Sequence, residues 1–388
     1  MDSLKAPKLY DLGALLVVQP TKGKQIDWVL FFSIITILSI GTMMVYSASS
    51  IWAEYKFDDS FYFVKRQLLF ASVGVILMLF IANIPYYKWL NYRKIIFFIC
   101  LGLLIAVLVP GVGLVRGGAR SWIGVGAFSI QPAEFIKLAM ILFLTGFLVK
   151  HQHKIQKFKQ GFLPPLAIIF LLFGLIMLQP DLGTGMVFVL TCFLLLFTAG
   201  ARIKHFFLLG LTGVIGFVLL IASAPYRINR ITAFLDPWQD PLGNGFQIIQ
   251  SLYAIGPGGL LGVGFGNSLQ KYFYLPEPHN DFIFAIVAEE LGFIGSTMIL
   301  GLFFLFVWRG MLTAIYAPDL SAKLLAVGIV GMLTIQIMIN ISVVIGLIPV
   351  TGITLPFFSY GGSSLTITLC SVGILLNISK YSQQTSSV

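Results

Sequence analysis

The hydrophobic pattern divides the chain into long apolar segments joined by short polar ones. A helix needs about 20 apolar residues to cross the hydrocarbon core of a membrane. The sequence holds ten segments of roughly that length, so the pattern predicts an all-α integral membrane protein with ten transmembrane helices. The predicted spans are residues 28–49, 67–86, 95–115, 132–149, 163–179, 183–199, 206–224, 282–308, 324–346 and 363–379.

Composition excludes several classes of protein. Hydrophobic residues make up 58% of the 388 residues and charged residues only 10%, whereas a soluble domain carries about 25% charged residues. This excludes a soluble enzyme, a disordered chain and a nucleic-acid-binding domain. The net charge of +10 is typical of a membrane protein that retains Lys and Arg in its cytoplasmic loops, so no nucleic-acid partner is expected.

The basic residues predict the orientation of the chain. With an even number of spans both termini lie on one side, and that side holds sixteen of the 25 Lys and Arg residues against eight on the other. The positive-inside rule therefore places both termini in the cytoplasm. The predicted organisation is a cytoplasmic N-terminal segment 1–27, a ten-span membrane domain 28–380 and a cytoplasmic tail 381–388.

Two segments on the outer face are irregular. Residues 225–281 form a large loop between spans 7 and 8 that begins near Arg227 and Arg230 and is rich in glycine. Residues 349–364 mix apolar residues with Gly and Pro, which predicts a re-entrant or buried loop before span 10. The backbone donors that precede Ser363 could meet an anion at the start of the last helix.

Ionisable residues inside spans are costly and indicate function. Glu134 and Lys137 are three residues apart, so they can pair on one helix face; the pair either shapes a charged cavity or only fixes helix packing. Glu289 shares a helical stripe with Asp281, which suggests a helix facing a polar cavity. Hydrogen bonding between helices by protonated carboxyl groups is the alternative, and it is favoured for Glu290.

Other polar residues complete a candidate site. Gln336 and Asn340 give the ninth span a polar face, which is typical of hydrogen bonds between helices. Asp281 begins the eighth span, where an acid is also favoured by the helix dipole alone. Cations near it suit a lipid-linked phosphate, and a carboxylate beside them suits a general base. The residues alone predict an outer-face enzyme or transporter for an anionic lipid.

Several long motifs in order resemble one family. They are Gly118-Ala119-Arg120-Ser121-Trp122-Ile123, Gln131-Pro132-Ala133-Glu134-Phe135-Ile136-Lys137, Gln179-Pro180-Asp181-Leu182-Gly183-Thr184, and the segments 275–292 and 349–364. With these motifs the chain resembles the SEDS family (shape, elongation, division and sporulation) over nearly its whole length. Residues 227–238 and 267–277 are similar to the FtsW and SpoVE branch, and the RodA branch is the alternative.

The resemblance implies a peptidoglycan glycosyltransferase. Such enzymes polymerise lipid II, an undecaprenyl-pyrophosphate-linked disaccharide pentapeptide, at the outer face of the bacterial cytoplasmic membrane. They act with a class B penicillin-binding protein transpeptidase and with other division or elongation proteins. A lipid II flippase is the alternative of another class, but polar residues that cluster toward the outer half favour the polymerase. A pure scaffold would leave the intramembrane charges unexplained.

The resemblance also assigns residues. The family's essential aspartate falls in its His-Thr-Asp segment, which is His279-Asn280-Asp281 here, with Asn280 in place of threonine. Asp281 is therefore expected to be the general base, or to hold a divalent ion such as Mg²⁺ or Mn²⁺. The residues expected to bind substrate are Arg66, Arg120, Glu134, Lys137, Arg227, Arg230 and His279. Those expected to shape the cavity are Asp181, Glu289, Glu290, Gln336, Asn340 and Ser363.

Overall fold

The computed structural model describes residues 25–116, 119–125, 128–207 and 245–382, together with residues 209, 210, 213, 216, 232 and 234–243. The predicted seventh span, 206–224, and both Arg227 and Arg230 lie largely or wholly outside the described residues. The described helices are α1 (Trp28–Phe57), α2 (Tyr62–Ala82), α3 (Tyr86–Asn91), α4 (Arg93–Ala106), α5 (Pro132–Lys150), α6 (Leu163–Met177), α7 (Leu182–Thr198), α8 (Phe246–Ile255), α9 (Ile283–Ile315), α10 (Leu320–Val344) and α11 (Gly362–Ser379).

The apolar helices confirm the predicted helical membrane fold. In the described part of the chain, seven helical segments are long and apolar enough to cross a membrane: α1, α2, α5, Phe158–Met177, α9, α10 and α11, and α7 is a shorter apolar helix. The total of ten spans stays a prediction. In the apolar windows of α5 and α10, 78% of residues are buried, against 28% in α2 and α9. Helices α5 and α10 therefore form the centre of the bundle.

Helix starts follow local sequence signals. Asp27 caps α1 by accepting from the backbone N–H of Leu30, and Asp319 caps α10 by accepting from that of Ala322. A side-chain acceptor at this position satisfies a backbone donor that the helix itself leaves unpaired. Pro132 occupies the first turn of α5, where the missing N–H is not needed.

A three-stranded antiparallel sheet between α4 and α5 corrects the predicted third span. Helix α4 ends at Ala106 rather than near residue 115, and the strands are β1 (Gly113–Arg116), β2 (Ala119–Val125) and β3 (Phe128–Ile130). Pro110 cannot donate a backbone hydrogen bond, and Gly111 has a φ of 89°. Both features stop a helix.

Helix α9 is interrupted at Gly292, whose φ of 66° and ψ of −165° are not helical. A glycine-rich loop, residues 256–266, packs against this point. The backbone N–H groups of Phe293 and Ile294 donate to the carbonyls of Gly259 and Leu260 at 2.9 and 3.1 Å. The loop thus provides hydrogen-bond partners for backbone groups that the break would otherwise leave unpaired within the bundle. Residues 283–291 consequently form a half-helix on the N-terminal side of the break.

Candidate functional site

A buried ion pair lies at the centre of the bundle. Lys137 Nζ is 2.8 Å from Glu134 Oε1, and their side chains are 3% and 8% exposed. Ser364 Oγ donates to the other Glu134 oxygen at 3.0 Å, and Lys137 also donates to Gln336 Oε1 at 3.2 Å. The pair therefore joins α5 to α10 and to the start of α11.

The loop before α11 is largely buried over residues 353–359, and helix side chains satisfy its backbone. Gln336 Nε2 donates to the Thr354 carbonyl at 3.0 Å, and Asn340 Nδ2 donates to that of Ile353 at 2.7 Å. From α2, Gln67 Nε2 donates to the Ser359 carbonyl at 3.2 Å. Gln336 thus bonds both to this loop and to Lys137 of α5, while Asn340 bonds to the loop and to the backbone of residue 281. Non-helical backbone at membrane depth needs such partners.

The same elements hold the backbone around Asp281. Asn340 Nδ2 donates to the Asp281 carbonyl at 2.7 Å. The Tyr360 N–H donates to the His279 carbonyl at 2.9 Å. Residues 279–281 are therefore tied to α10 and to the buried loop, and Asp281 itself is half-buried.

Gln131 forms hydrogen bonds with both Asp181 and Ser363. Gln131 Nε2 donates to Asp181 Oδ2 at 2.7 Å, and the Gln131 N–H donates to Ser363 Oγ at 3.3 Å. The other Asp181 oxygen caps α7 by accepting from the Thr184 N–H at 3.0 Å. The starts of α5, α7 and α11 therefore lie together at the end of the bundle that carries Asp281, which is called the site end below.

Of the four arginines expected to bind substrate, Arg66 and Arg120 lie in the described part of the chain, and both are half-buried. The Arg66 guanidinium stacks over the Tyr62 ring at 4.1 Å, and the next residue is Gln67, which binds the buried loop. Arg120 lies in β2, opposite Val115 of β1. Both positions are on elements that adjoin the site end.

Glu289 is placed differently from the predicted stripe, whereas Glu290 bonds to Ser47 of another helix, in line with the hydrogen bonding between helices that was favoured for it. Their side chains are 1% and 0% exposed and bond to residues 268–271 and to Ser47. They therefore bind the outer loop and α1, instead of lining a cavity together with Asp281.

A family model described as a cell cycle protein, FtsW/RodA/SpoVE, matches residues 27–384. The chain belongs to this family. Stage V sporulation protein E of Bacillus subtilis is 62% identical over 363 residues, covering 94% of this chain and 99% of that protein. A probable peptidoglycan glycosyltransferase FtsW of Trichlorobacter lovleyi is 44% identical over 361 residues, covering 93% of this chain and 95% of that protein.

Solved structures of family members share the fold. A chain from a peptidoglycan synthase complex, studied for the coordination of polymerization and crosslinking, superposes with a TM-score of 0.73 at 32% identity, covering 92% of this chain and 99% of that one. The rod shape determining protein RodA of Thermus thermophilus gives a TM-score of 0.65 at 29% identity, covering 92% and 98%. The identities are higher to SpoVE and FtsW than to RodA, in agreement with the predicted branch. The chain is a multi-pass membrane protein.

Replacing Gly292 with alanine is expected to destabilise this family member by about 1–3 kcal/mol. Its φ of 66° disfavours any side chain, and an added Cβ would lie 2.3 Å from the Gly262 nitrogen. Gly301 is the matched control because it lies in the same helix, and a Cβ there would meet nothing within 4 Å. Thermal unfolding of the purified variants should show a loss for Gly292→Ala and none for Gly301→Ala. Equal stability of the two variants would contradict the account of the break.

His279 is buried among aromatic rings in the loop before α9. Its ring centroid lies 4.2 Å from that of Phe63 and 5.7 Å from that of Tyr360, and the side chain is 2% exposed. Burial lowers the pKa of His279 to about 3. The ring is therefore uncharged near neutral pH, and it contributes packing rather than a positive charge for substrate.

This lowered pKa makes stability depend on pH. The unfolded chain binds the proton at its ordinary pKa of about 6.5, so the stabilisation is present above that pH and is lost as pH falls toward about 3. The expected loss between pH 7 and pH 5 is about 2 kcal/mol. His279→Phe keeps an aromatic ring and should flatten this part of the curve of unfolding free energy against pH. An unchanged slope in the variant would show that His279 is not its source.

Sequence reasoning assigned no role to several residues of these networks. Gln67, Gln131 and Ser364 bond to predicted site residues or to the buried loop, and Lys271 pairs with Glu290 at 3.2 Å. Gln67 and Gln131 are amides in or beside apolar spans, which is a usable signal. Lys271 lies in an irregular loop where no periodicity points to its partner.

Proposed function

We propose that this chain is a peptidoglycan glycosyltransferase that polymerises lipid II at the outer face of the bacterial cytoplasmic membrane. The observation that carries the proposal is the position of Asp281: a half-buried carboxylate whose backbone is bound by α10 and by the buried loop. The name of the relative from Trichlorobacter lovleyi, probable peptidoglycan glycosyltransferase FtsW, supports the same activity.

The reaction would join one sugar to another. The 4-hydroxyl of the acceptor attacks the anomeric carbon of the donor chain, forming the new glycosidic bond as the bond to undecaprenyl pyrophosphate breaks. Asp281 takes the hydroxyl proton as general base. The negative charge passes to the departing pyrophosphate, which Arg66, Arg120, Arg227 and Arg230 would stabilise.

The charge on Lys137 is already balanced by Glu134 at 2.8 Å. Direct binding of pyrophosphate would need Lys137 to leave that carboxylate. We therefore propose that the Glu134–Lys137 pair fixes the relative positions of α5, α10 and α11. The arginines are then the groups that bind the phosphates.

A divalent cation fits the site only together with its substrate. Among the described residues no group of three His, Cys, Asp or Glu side chains is arranged to hold a metal. Mg²⁺ is commonly bound by one or two carboxylates together with substrate phosphates, and Asp281 could supply that carboxylate. The bound ion would supply positive charge for the leaving pyrophosphate.

At the opposite end of the bundle, side chains connect the helices by an ion pair and hydrogen bonds. Arg309 Nη2 lies 2.7 Å from Asp27 Oδ2, and the Asp27 N–H donates to Ser379 Oγ at 3.1 Å. Asn377 Nδ2 donates to the Ala82 carbonyl at 2.9 Å. These contacts join α1, α2, α9 and α11 at the end that carries the described termini. Such ties favour an enzyme with a site at one face over a transporter that opens to both.

The proposal is tested in proteoliposomes that carry fluorescent lipid II in the inner leaflet or the outer leaflet only. We expect glycan chains from lipid II on the face that carries Asp281, and no transfer of lipid II between leaflets. The assay includes a class B penicillin-binding protein as the proposed partner, which the likeness to a peptidoglycan synthase complex supports. Transfer between leaflets without polymer would establish the flippase instead.

A further inference from the structure

A second buried polar cluster lies at the break of α9. It consists of Ser47, Ser268, Lys271, Glu289 and Glu290, each at most 3% exposed, and is called the anchor cluster below. Ser47 Oγ donates to Glu290 within 2.6–2.7 Å of both carboxylate oxygens, and Lys271 Nζ lies 3.2 Å from Glu290 Oε1. The cluster thus connects α1, the outer loop and α9.

The other contacts of the cluster fasten the loop itself. Ser268 Oγ and the Leu269 N–H both donate to the Glu289 carboxylate, the second at 2.8 Å. Lys271 Nζ also donates to the Gly266 carbonyl at 2.5 Å. The N–H groups of Val263 and Gly264 donate to the backbone carbonyls of Glu289 and Glu290, both at 3.0 Å. Residues 263–271 are therefore held to the last turn before Gly292 by side chains and by backbone.

Stability alone does not explain this chemistry. A buried ion pair is often no more stabilising than apolar residues of similar volume, and charges inside a membrane protein are costly. A buried ionic cluster can instead fix the relative placement of the segments that carry it, as documented for other proteins. The half-helix that they hold begins at Ile283, two residues after Asp281.

We infer that Lys271, Glu289 and Glu290 are positioning residues that set the placement of Asp281 by locking the half-helix 283–291, which directly follows it, to α1 and to the outer loop. The inference rests on the proposed function in that Asp281 is taken as the catalytic carboxylate. Asn340 binds the Asp281 carbonyl just before the half-helix begins, and the anchor cluster binds the end of the half-helix. The non-helical Gly292 separates it from the remainder of α9. Loss of the anchor cluster leaves the half-helix with its apolar packing, the contacts near residue 281 and the backbone bonds from Val263 and Gly264.

The test compares Lys271→Met with the double variant Lys271→Met/Glu290→Gln. The single variant leaves a buried carboxylate without its cation and is expected to melt at a lower temperature. The double variant removes both charges, so its melting temperature should return to that of the unmodified protein. Because the tether from Lys271 to Gly266 is still missing, turnover should remain about 10- to 100-fold lower, with the KM for lipid II changed less than about twofold.

The controls separate positioning from stability. Lys65→Met removes an exposed pair with Asp59 and should change neither melting nor turnover. A merely structural role of the anchor cluster predicts that turnover returns with the melting temperature in the double variant, and this result would overturn the inference.

A second measurement does not depend on activity. Spin labels at Tyr274 and Leu347, which are 56% and 64% exposed, are introduced in a background without the three native cysteines. The distance distribution between the labels should be narrow in the otherwise unmodified protein and broad in the double variant. An unchanged distribution would overturn the inference even if the protein does not polymerise lipid II. Absence of polymer from the unmodified protein would instead count against the proposed function, and the distances would still decide the positioning role.

Discussion

Replacing Asp281 with asparagine is expected to lower the rate of glycan polymerisation by about 10²- to 10⁴-fold, the usual contribution of a general base. Asparagine keeps the size of the side chain but has no carboxylate to accept the proton of the attacking hydroxyl. The backbone contacts of residue 281 with Asn340 do not involve the side chain, so the variant should remain folded. Initial rates with labelled lipid II, together with thermal unfolding, measure the two properties separately.

Two further variants at this position refine the test. Asp281→Glu keeps a carboxylate but moves it by one methylene group, so it should retain more activity than Asp281→Asn. Asp281→Ala should be as inactive as Asp281→Asn. Full activity of Asp281→Asn in a protein of normal stability would show that another group takes the proton.

Removing one partner of the Glu134–Lys137 pair is expected to destabilise the protein by about 3–5 kcal/mol, because it leaves an unpaired buried charge. Glu134→Gln leaves the Lys137 ammonium at the centre of the bundle, where it still donates a hydrogen bond to the uncharged Gln336 side chain. The side chains of the pair are 3% and 8% exposed, so water cannot replace the lost carboxylate. Chemical or thermal unfolding in detergent measures the change.

The protein contains a matched control for this prediction. Lys65 and Asp59 form an ion pair with the same N···O distance of 2.8 Å, but their side chains are 67% and 32% exposed. Exposed pairs contribute at most about 1 kcal/mol, so Asp59→Asn should have little effect. Similar losses of unfolding free energy in Glu134→Gln and Asp59→Asn would contradict the argument from burial.

Much of the helical framework could be predicted because lipid replaces water as the solvent. Long apolar segments give clear signals, and the predicted span 132–149 agrees with α5 at Pro132–Lys150. The contact between Glu134 and Lys137 followed from their spacing of three residues. The buried loop before α11 was indicated by apolar residues among Gly and Pro.

Other features depend on contacts between distant residues. Ser364 and Glu134 are 230 residues apart, and no periodicity in one sequence relates them. The sheet at residues 113–130 is made of strands of three to seven residues, too short to stand out from the end of an apolar segment. Gly292 gives no sign of a break because an isolated glycine is tolerated in a helical pattern. The outer loop supplies the backbone partners that permit the break.

The glycosyltransferase activity and the role of Asp281 are measured together by the formation of glycan chains from labelled lipid II. The purified protein is assayed alone and with a class B penicillin-binding protein, beside Asp281→Asn. We expect a ladder of glycan chains from the unmodified protein and none above background from the variant. A chelator should suppress the ladder if a divalent ion binds with the substrate. Chains of equal length and yield from both proteins would contradict Asp281 as the catalytic base, and no chains under any condition would contradict the glycosyltransferase itself.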